Sequence, residues 1–241
     1  MIVPDVNGGG RLYQSSICDG VYRLHVSTLS SVNPKSKLVV SQEHVQRLQS
    51  SLLYIIVSSL SGAGLALTAF SSLLQPLIDL FSLTPAVHQT TSKTSHLEFI
   101  KSITMSSDLE NILVIFGGDT MIYDIINGLA MNNSISADSR ITIVLVPCGT
   151  GNALATSLGT YSIPTGIGKL FGVCETSVVE TKVLPTFRVT IKEPESRRLF
   201  WGVVVCSWGL HASLVADSND PDMRREYGPK RFAVITHFSG V

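Results

Sequence analysis

Buried-strand patterns alternate with helical patterns through the middle of the chain. Four short runs of mostly β-branched and other apolar residues have the length of buried strands, and an amphipathic segment follows each of them. The runs are Leu53–Val57, Val87–Thr91, Ile112–Phe116 and Ile141–Val146. Because an intervening helix lets successive strands run in the same direction, the region from Leu53 to Leu158 is predicted to form an α/β fold. We expect a mostly parallel sheet with helices on both faces.

The pattern changes on either side of this region. Val21–Val26 alternates like a strand and Gln42–Gln49 has helical spacing, so residues 1–50 are predicted to be an N-terminal extension with a few strands. After Gly159, three strand-length segments follow one another without helices, which predicts a partial antiparallel β-sandwich. These segments are Ser177–Leu184, Phe187–Lys192 and Leu199–Ser207. The predicted domains are therefore residues 1–50, 51–160 and 161–241.

The last of these domains is also expected to contain helices. Leu210–Asp217 and Pro221–Tyr227 have helical patterns, and the apolar run Phe232–Phe238 resembles the start of another strand. A β-sandwich needs more strands than this segment supplies. We therefore expect the C-terminal domain to be truncated at Val241.

Glycine-rich turns follow three of the four predicted strands. They contain Ser61-Gly62-Ala63-Gly64, Gly117-Gly118-Asp119 and Gly149-Thr150-Gly151-Asn152. The carboxyl ends of parallel strands meet at one edge of a sheet, which is where α/β proteins bind ligands. Glycine lets backbone amides approach an anion, and the following helix adds its N-terminal dipole. The turns predict a phosphate-bearing ligand, and the alternative is that glycine only permits tight packing there.

The amino-acid composition limits the kinds of molecule that this protein is expected to bind. The 18 basic and 18 acidic residues give a net charge of zero, which argues against nucleic-acid binding. Apolar residues make up 44% and charged residues only 15%, which indicates a protein that works beside an apolar partner or surface. The four cysteines and six histidines show no metal-ligand spacing, so no metal site is assigned and the cysteines are expected to be buried, reduced thiols.

One stretch of the sequence has two features of a membrane-spanning helix. Leu52–Ile78 has no charged residue and is long enough to span a bilayer. The serines at 58, 59 and 61 and the glycines at 62 and 64 divide it into a strand-length and a helix-length piece. We therefore expect no transmembrane helix, and a cytoplasmic protein in peripheral contact with a membrane.

Two ordered blocks of residues carry a family resemblance. Gly117-Gly118-Asp119 with the downstream Asn127-Gly128-Leu129, and then Gly149-Thr150-Gly151-Asn152, resemble the diacylglycerol kinase and sphingosine kinase superfamily in order and spacing. The following Ala153-Leu154-Ala155 is similar to the sphingosine kinase branch. The resemblance extends over roughly Tyr54–Phe232. It implies an NAD kinase/diacylglycerol kinase-like α/β domain followed by a lipid-binding β domain.

The resemblance also implies an activity. The protein would transfer the γ-phosphoryl group of ATP, with Mg²⁺, to the primary hydroxyl of a sphingoid base or a related lipid such as ceramide or diacylglycerol. Asp119 would be the catalytic base, and Asp124 matches a family glutamate. The residues implied to bind the nucleotide are Ser61, Gly62, Gly64, Gly117, Gly118, Thr150, Gly151, Asn152, Arg225 and Arg231. Those implied to bind the lipid are Trp208, Leu210 and Ser213.

Three departures from the family pattern keep other functions open. Thr120 replaces a glycine, and at a positive φ a threonine would be strained by about 1–3 kcal/mol. Ser58-Ser59 replaces Asn-Pro, which removes one polar anchor, and Ser213 replaces an aspartate. The alternatives are a catalytically impaired family member that binds lipid or nucleotide, and a soluble NAD kinase-like enzyme.

Overall fold

The chain divides into two compact units, Met1–Val203 and Val204–Val241. The computed structural model describes residues 1–241 apart from 20, 34, 37, 137, 175–178, 194–195, 207–209, 232–233 and 236–241.

An antiparallel sheet and one helix open the first unit. The elements are β1 (Ile2–Pro4), β2 (Gly10–Cys18), β3 (Val21–Leu29) and α1 (Gln42–Gln49), with strand order β1-β2-β3. The strand and the helix expected in this region are both present. Ser41 caps α1 by accepting a hydrogen bond from the amide of His44 at 3.2 Å. Arg47 near the end of α1 forms a two-bond fork with Glu110, at 2.8 and 2.6 Å, and so ties this region to the next.

A four-stranded parallel sheet follows. Its strands are β4 (Leu52–Val57), β5 (Ala86–Gln89), β6 (Asn111–Gly117) and β7 (Ile141–Pro147). The order is β5-β4-β6-β7, and each neighbouring pair is parallel. This confirms the predicted fold class. From β4 the chain crosses to β5 on one side and then returns to β6 on the other, so a crevice opens at the carboxyl ends of β4 and β6.

Helices connect the strands and cover both faces of the sheet. The first predicted helix, from about Leu65 to Phe81, is three consecutive segments, because a π-helical stretch at Phe70–Leu74 interrupts it. The α-helical segments of this region are α2 (Ala66–Ala69), α3 (Gln75–Leu80), α4 (Ser95–Ser102), α5 (Asp119–Met131), α6 (Ala153–Ser157) and α7 (Ile163–Leu170).

Alternate residues of the central strands enter two separate cores. Ile55 and Val114 pack on the side of α3, α7 and the N-terminal sheet, whereas Ile56, Leu113 and Ile115 pack on the side of α4 and α5. Every residue of β6 is buried. A strand covered on both faces cannot alternate in polarity, which explains the continuous apolar runs in the sequence.

The second predicted sheet is smaller than expected. Among the described residues after Gly159, it consists of one antiparallel pair, β8 (Phe187–Lys192) and β9 (Arg197–Gly202). The described part of Ser177–Leu184 is not a strand, and Val183 is 94% exposed, because no neighbouring strand pairs with it. The predicted strand Leu199–Ser207 ends at Gly202.

The second unit is helical where it is described. It contains α8 (Leu210–Ser218), α9 (Pro221–Tyr227) and a 3₁₀ turn at Gly228–Lys230. The two predicted helices are present. The prediction of a strand starting in Phe232–Phe238 is wrong at Val234 and Ile235, which are helical, and the other positions of that run lie outside the described residues.

The charge-free stretch Leu52–Ile78 is shared between β4 and the helical segments after it. In the described part of the chain, no helix is long and apolar enough to cross a membrane.

The packing of α7 on β7 gives a test of this fold. A Cβ added to Gly166 would lie 2.5 Å from the carbonyl oxygen of Leu145 and 3.0 Å from the Cα of Val146, and neither backbone atom can move freely. We expect Gly166→Ala to lower the free energy of unfolding by about 1–3 kcal/mol, measured by urea denaturation. Gly151→Ala is the control, because its Cβ would meet only a carboxylate oxygen at 3.8 Å. Equal stability of the two variants would contradict this packing.

Candidate active site

Three loops meet at the carboxyl edge of the parallel sheet. A Cβ on Gly118, after β6, would lie 2.9 Å from the Cα of Gly149, after β7. A Cβ on Gly62, after β4, would collide with the carbonyl oxygen of Cys148. These loops are therefore in backbone contact that only glycine permits. The sequence predicted that they would share an edge, and the structure confirms it.

Asp119 connects the second loop to the third. Its Oδ2 accepts a hydrogen bond from the amide of Ala153 at 2.7 Å, and its Oδ1 accepts one from the amide of Leu154 at 3.0 Å. Both amides belong to the first turn of α6, where helical amides have no partner within the helix. A carboxylate has about four lone-pair sites, so each oxygen can accept one more hydrogen bond. The carboxylate is thus oriented and can still receive a proton.

Asn152 fixes the shape of the third loop. Its Oδ1 accepts from the amide of Gly149 at 2.8 Å, and its Nδ2 donates to the carbonyl oxygen of Gly149 at 2.7 Å. Its backbone is left-handed, with φ of 50°, a conformation that asparagine tolerates better than most residues. The position implied by the resemblance to bind nucleotide thus also has a clear structural role.

The first loop is anchored to the end of β5 by a residue that the sequence did not single out. The amide of Ser59 donates to Oγ1 of Thr90 at 2.9 Å, and the Ser59 hydroxyl donates to the Thr90 carbonyl oxygen at 2.6 Å. Ser61 donates to Oγ of the buried Ser58 at 2.7 Å. Ser58-Ser59, which replaces the Asn-Pro of the family pattern, therefore brings its own polar anchor. Thr90 lies inside the predicted strand Val87–Thr91 but directly after the observed β5, and nothing in the local sequence indicated its contact with Ser59.

Two glycines of the loops differ from the packed ones because they face open space. A Cβ on Gly64 would meet nothing within 4 Å, and one on Gly151 would meet only Oδ2 of Asp119 at 3.8 Å. Gly64 has φ of 74° and needs glycine for its conformation as well. Gly62, Gly118 and Gly149 therefore serve close packing, whereas open space lies beside Gly64 and Gly151. Phosphate binding by these loops stays a prediction.

The expected strain at Thr120 is absent, so that expectation was wrong. The helix α5 already begins at Asp119, which places Thr120 in its first turn. The described non-glycine residues with positive φ are Asp19, Ser82 and Asn152. A β-branched residue is acceptable in a helical turn, so the loop tolerates Thr120 without reshaping.

Comparison with known proteins agrees with this geometry. A family profile described as the diacylglycerol kinase catalytic domain matches residues 52–183. The chain belongs to this family. The match includes all three loops, and it confirms the resemblance carried by the two sequence blocks.

The relatives that match include sphingosine kinases and a sphingoid long-chain bases kinase. Human sphingosine kinase 1 is 24% identical over 184 residues, which cover 76% of this chain and 46% of that protein. Arabidopsis thaliana sphingosine kinase 1 is 22% identical over 231 residues, covering 94% and 45%. This chain thus spans less than half the length of these relatives. A putative diacylglycerol kinase structure from Bacillus anthracis str. Sterne aligns with a TM-score of 0.42 at 22% identity, covering 51% of this chain and 42% of that one.

The Asn-Gly-Leu block of the family has a structural role in this chain. The side chain of Asn127 accepts from the amide of Trp201 at 2.9 Å and donates to its carbonyl oxygen at 2.9 Å, which attaches β9 to α5. Gly128 lets α4 approach closely, because a Cβ there would lie 2.9 Å from Cγ2 of Ile100. Asp124 pairs with the buried ring of His96 at 2.9 Å. These contacts hold α5, and hence Asp119 at its start, in place.

The remaining predicted site residues lie in the second unit. Leu210 and Ser213 belong to α8, and Arg225 in α9 is exposed and pairs with Asp222 at 2.9 Å. Arg231 is buried, donates to the carbonyl oxygen of Gly228 at 2.8 Å, and has a pKa lowered by that burial. Trp208 lies outside the described residues. The roles of these residues in nucleotide or lipid binding stay predictions.

Neither a thiol nor a preformed metal site belongs to this edge. Burial raises the pKa of Cys148 to about 12, so its thiol stays protonated. The expectation of buried cysteines holds for Cys148 and Cys174 but is wrong for Cys18 and Cys206, which are exposed. Among the described residues, no group of three His, Cys, Asp or Glu side chains could hold a metal ion. These residues do not form a Mg²⁺ site on their own.

The link between Asp119 and α6 gives a second test. In Asp119→Asn the Oδ1 position can still accept from Leu154, but an NH₂ group would face the amide of Ala153. We expect faster hydrogen exchange at the first turn of α6 and a loss of stability of about 1–3 kcal/mol. Asp108→Asn, on an exposed loop before β6, is the matched control and should change neither quantity. Unchanged exchange in Asp119→Asn would show that the carboxylate does not hold α6.

Proposed function

We propose that this chain carries the catalytic domain of an ATP-dependent lipid kinase, which phosphorylates the primary hydroxyl of a sphingoid base or a related lipid. The observation that carries the proposal is the oriented carboxylate of Asp119 at the meeting point of three glycine-containing loops. Family membership and the sphingosine kinase relatives support the reaction class.

In the proposed reaction, the Asp119 carboxylate accepts the proton of the lipid hydroxyl. The hydroxyl oxygen forms a bond to the γ-phosphorus of ATP, the bond from that phosphorus to the β,γ-bridging oxygen breaks, and ADP leaves. Phosphoryl transfer needs mainly positioning and charge stabilisation from a protein. The amides of Ala153 and Leu154 supply the positioning, because they fix both carboxylate oxygens.

The nucleotide phosphates are proposed to lie over the loops that contain Gly64 and Gly151. Both glycines leave open space at their Cα, which a phosphate oxygen could occupy. The helix α5 begins beside them at Asp119, and its N-terminal dipole favours an anion. Mg²⁺ would enter with the nucleotide, whose oxygens commonly supply most of its ligands.

The lipid and the cellular location belong to the proposal as well. Residues 161–241 are proposed to contribute to lipid binding, with Trp208, Leu210 and Ser213 near the head group. A low fraction of charged residues, 15%, fits a cytoplasmic protein in peripheral contact with a membrane.

A direct assay distinguishes this function from the alternatives. Radiolabelled ATP is incubated with sphingosine, phytosphingosine, ceramide, diacylglycerol or NAD, and we expect label in a sphingoid base. Asp119→Asn should lower turnover by about 10²–10⁴, the usual effect of losing a positioned base. Asp108→Asn should behave as wild type. Label in NAD would favour the NAD kinase-like alternative, and ATP binding without any labelled product would favour an impaired family member.

The open glycine allows a separate test of nucleotide binding. Gly151→Ala adds one methyl group where nothing in the protein is displaced, so stability should be unchanged. If a phosphate approaches that position, ATP affinity should fall by roughly ten-fold, measured by calorimetry. Asp108→Asn, on the exposed loop before β6, is the control and should bind ATP as the wild type does. Equal ATP affinity in Gly151→Ala and wild type would remove this loop from the proposed phosphate site.

A further inference from the structure

A second concave site lies on one face of the parallel sheet, apart from the three loops. It is a cavity of about 380 Å³ between the N-terminal sheet and the helices beneath it. Leu12 and Leu24 border it from β2 and β3, Leu73 and Leu77 from the π-helical segment and α3, and Ile167 from α7. Its volume lies in the range of about 300–1,000 Å³ that is usual for ligand pockets.

The cavity is bordered by buried apolar residues at its depth and by exposed polar residues at its rim. Leu73, Leu77 and Ile167 are at most 4% exposed, whereas Gln14 and Ser15 at the rim are exposed. Among the described residues, none that borders the cavity has a charged side chain. Met1 also borders the cavity, and its α-amino group donates to the carbonyl oxygen of Tyr13 at 3.1 Å. An apolar chain with a polar end that carries no charge matches this set of side chains.

The cavity is separate from the candidate active site. None of the residues of the three glycine loops borders it. Leu73 lies seven residues after the start of α2, which corresponds to roughly 10 Å along a helix. The cavity and the three loops therefore have no residue in common.

The helix that forms the cavity floor is irregular at that position. Leu73 and Leu74 belong to the π-helical segment Phe70–Leu74, and such segments occur frequently at functional sites. The pocket opens to solvent at its rim, and its inner wall of leucine and isoleucine gives an apolar ligand a surface to bury.

We propose that this cavity binds the hydrocarbon chain of a single-chain amphiphile whose head group is uncharged and carries hydroxyl or amide groups. The chain lies against Leu73, Leu77 and Ile167, and the head group remains at the rim near Gln14 and Ser15. This is an accessory lipid site, independent of phosphoryl transfer.

The test is calorimetric titration of the purified 241-residue chain with monoacylglycerols of eight, ten and twelve carbons, each below its micelle concentration and without ATP. We expect the Kd to fall by roughly ten-fold for each added pair of methylene groups until the chain fills the cavity. The fatty acid of twelve carbons should bind more weakly than the matching monoacylglycerol. Since no ATP is present, the result is independent of whether the chain is a kinase.

Substitutions locate the binding. Leu77→Trp fills the cavity and Ser15→Trp narrows its mouth, and each should weaken binding at least ten-fold. Ile17→Trp is the matched control, because Ile17 lies on the same strand, is 54% exposed and does not border the cavity. Circular dichroism checks that each variant is folded, and Ser15→Trp keeps the test valid if Leu77→Trp does not fold.

Three results would overturn the proposal. They are an affinity that does not depend on chain length, equal affinity in Ser15→Trp and Ile17→Trp, and tighter binding of the fatty acid than of the monoacylglycerol. The first two would exclude the cavity as the binding site, and the third would exclude an uncharged head group.

Discussion

The hydrogen bonds from the amides of Ala153 and Leu154 to Asp119 are the constraint on which the arrangement of the site depends. They join the start of α5 to the start of α6 across 34 residues of sequence. Without them, the first amides of α6 would lose their side-chain cap, and the loss of such a cap costs about 0.5–2 kcal/mol. Asp119, which is proposed to accept the proton of the lipid hydroxyl, therefore also fixes the position of α6 beside it.

Close contacts between glycines also fix the arrangement of the loops. Gly118 and Gly149 approach so closely that neither could carry a side chain, and Asn152 closes the loop behind them. Close backbone contact makes the loops stiff, and stiffness is what a site for phosphoryl transfer needs, since its catalysis rests on positioning. Gly64 and Gly151 remain uncovered at the same edge. Gly118 and Gly149 thus hold the loops in contact, whereas Gly64 and Gly151 leave open space beside them.

The sequence predicted the parallel sheet well because the central strands β4 and β6 are largely buried and their apolar runs are continuous. It also placed Asp119 and the three turns at one edge, since parallel topology requires it. The predictions from sequence failed where contacts between residues distant in sequence determine the local structure. Residues 179–184 of the predicted strand Ser177–Leu184 pair with no strand among the described residues. The strain expected at Thr120 did not take into account that α5 already begins at Asp119, and Thr90 gave no local signal of its contact with Ser59.

One irregular helix borders both concave sites of the first unit. It starts beside the loop of Gly64 and continues through the π-helical segment to Leu77 at the apolar cavity. A π-helical turn holds more residues than an α-helical turn, so the side chains after it are rotated relative to those before it. Ala66, Ala69, Leu73 and Leu77 all enter the core that lies beneath the N-terminal sheet, and Leu73 and Leu77 also border the cavity. The N-terminal sheet therefore does more than cover the α/β domain, because its residues Leu12 and Leu24 form the opposite side of that cavity.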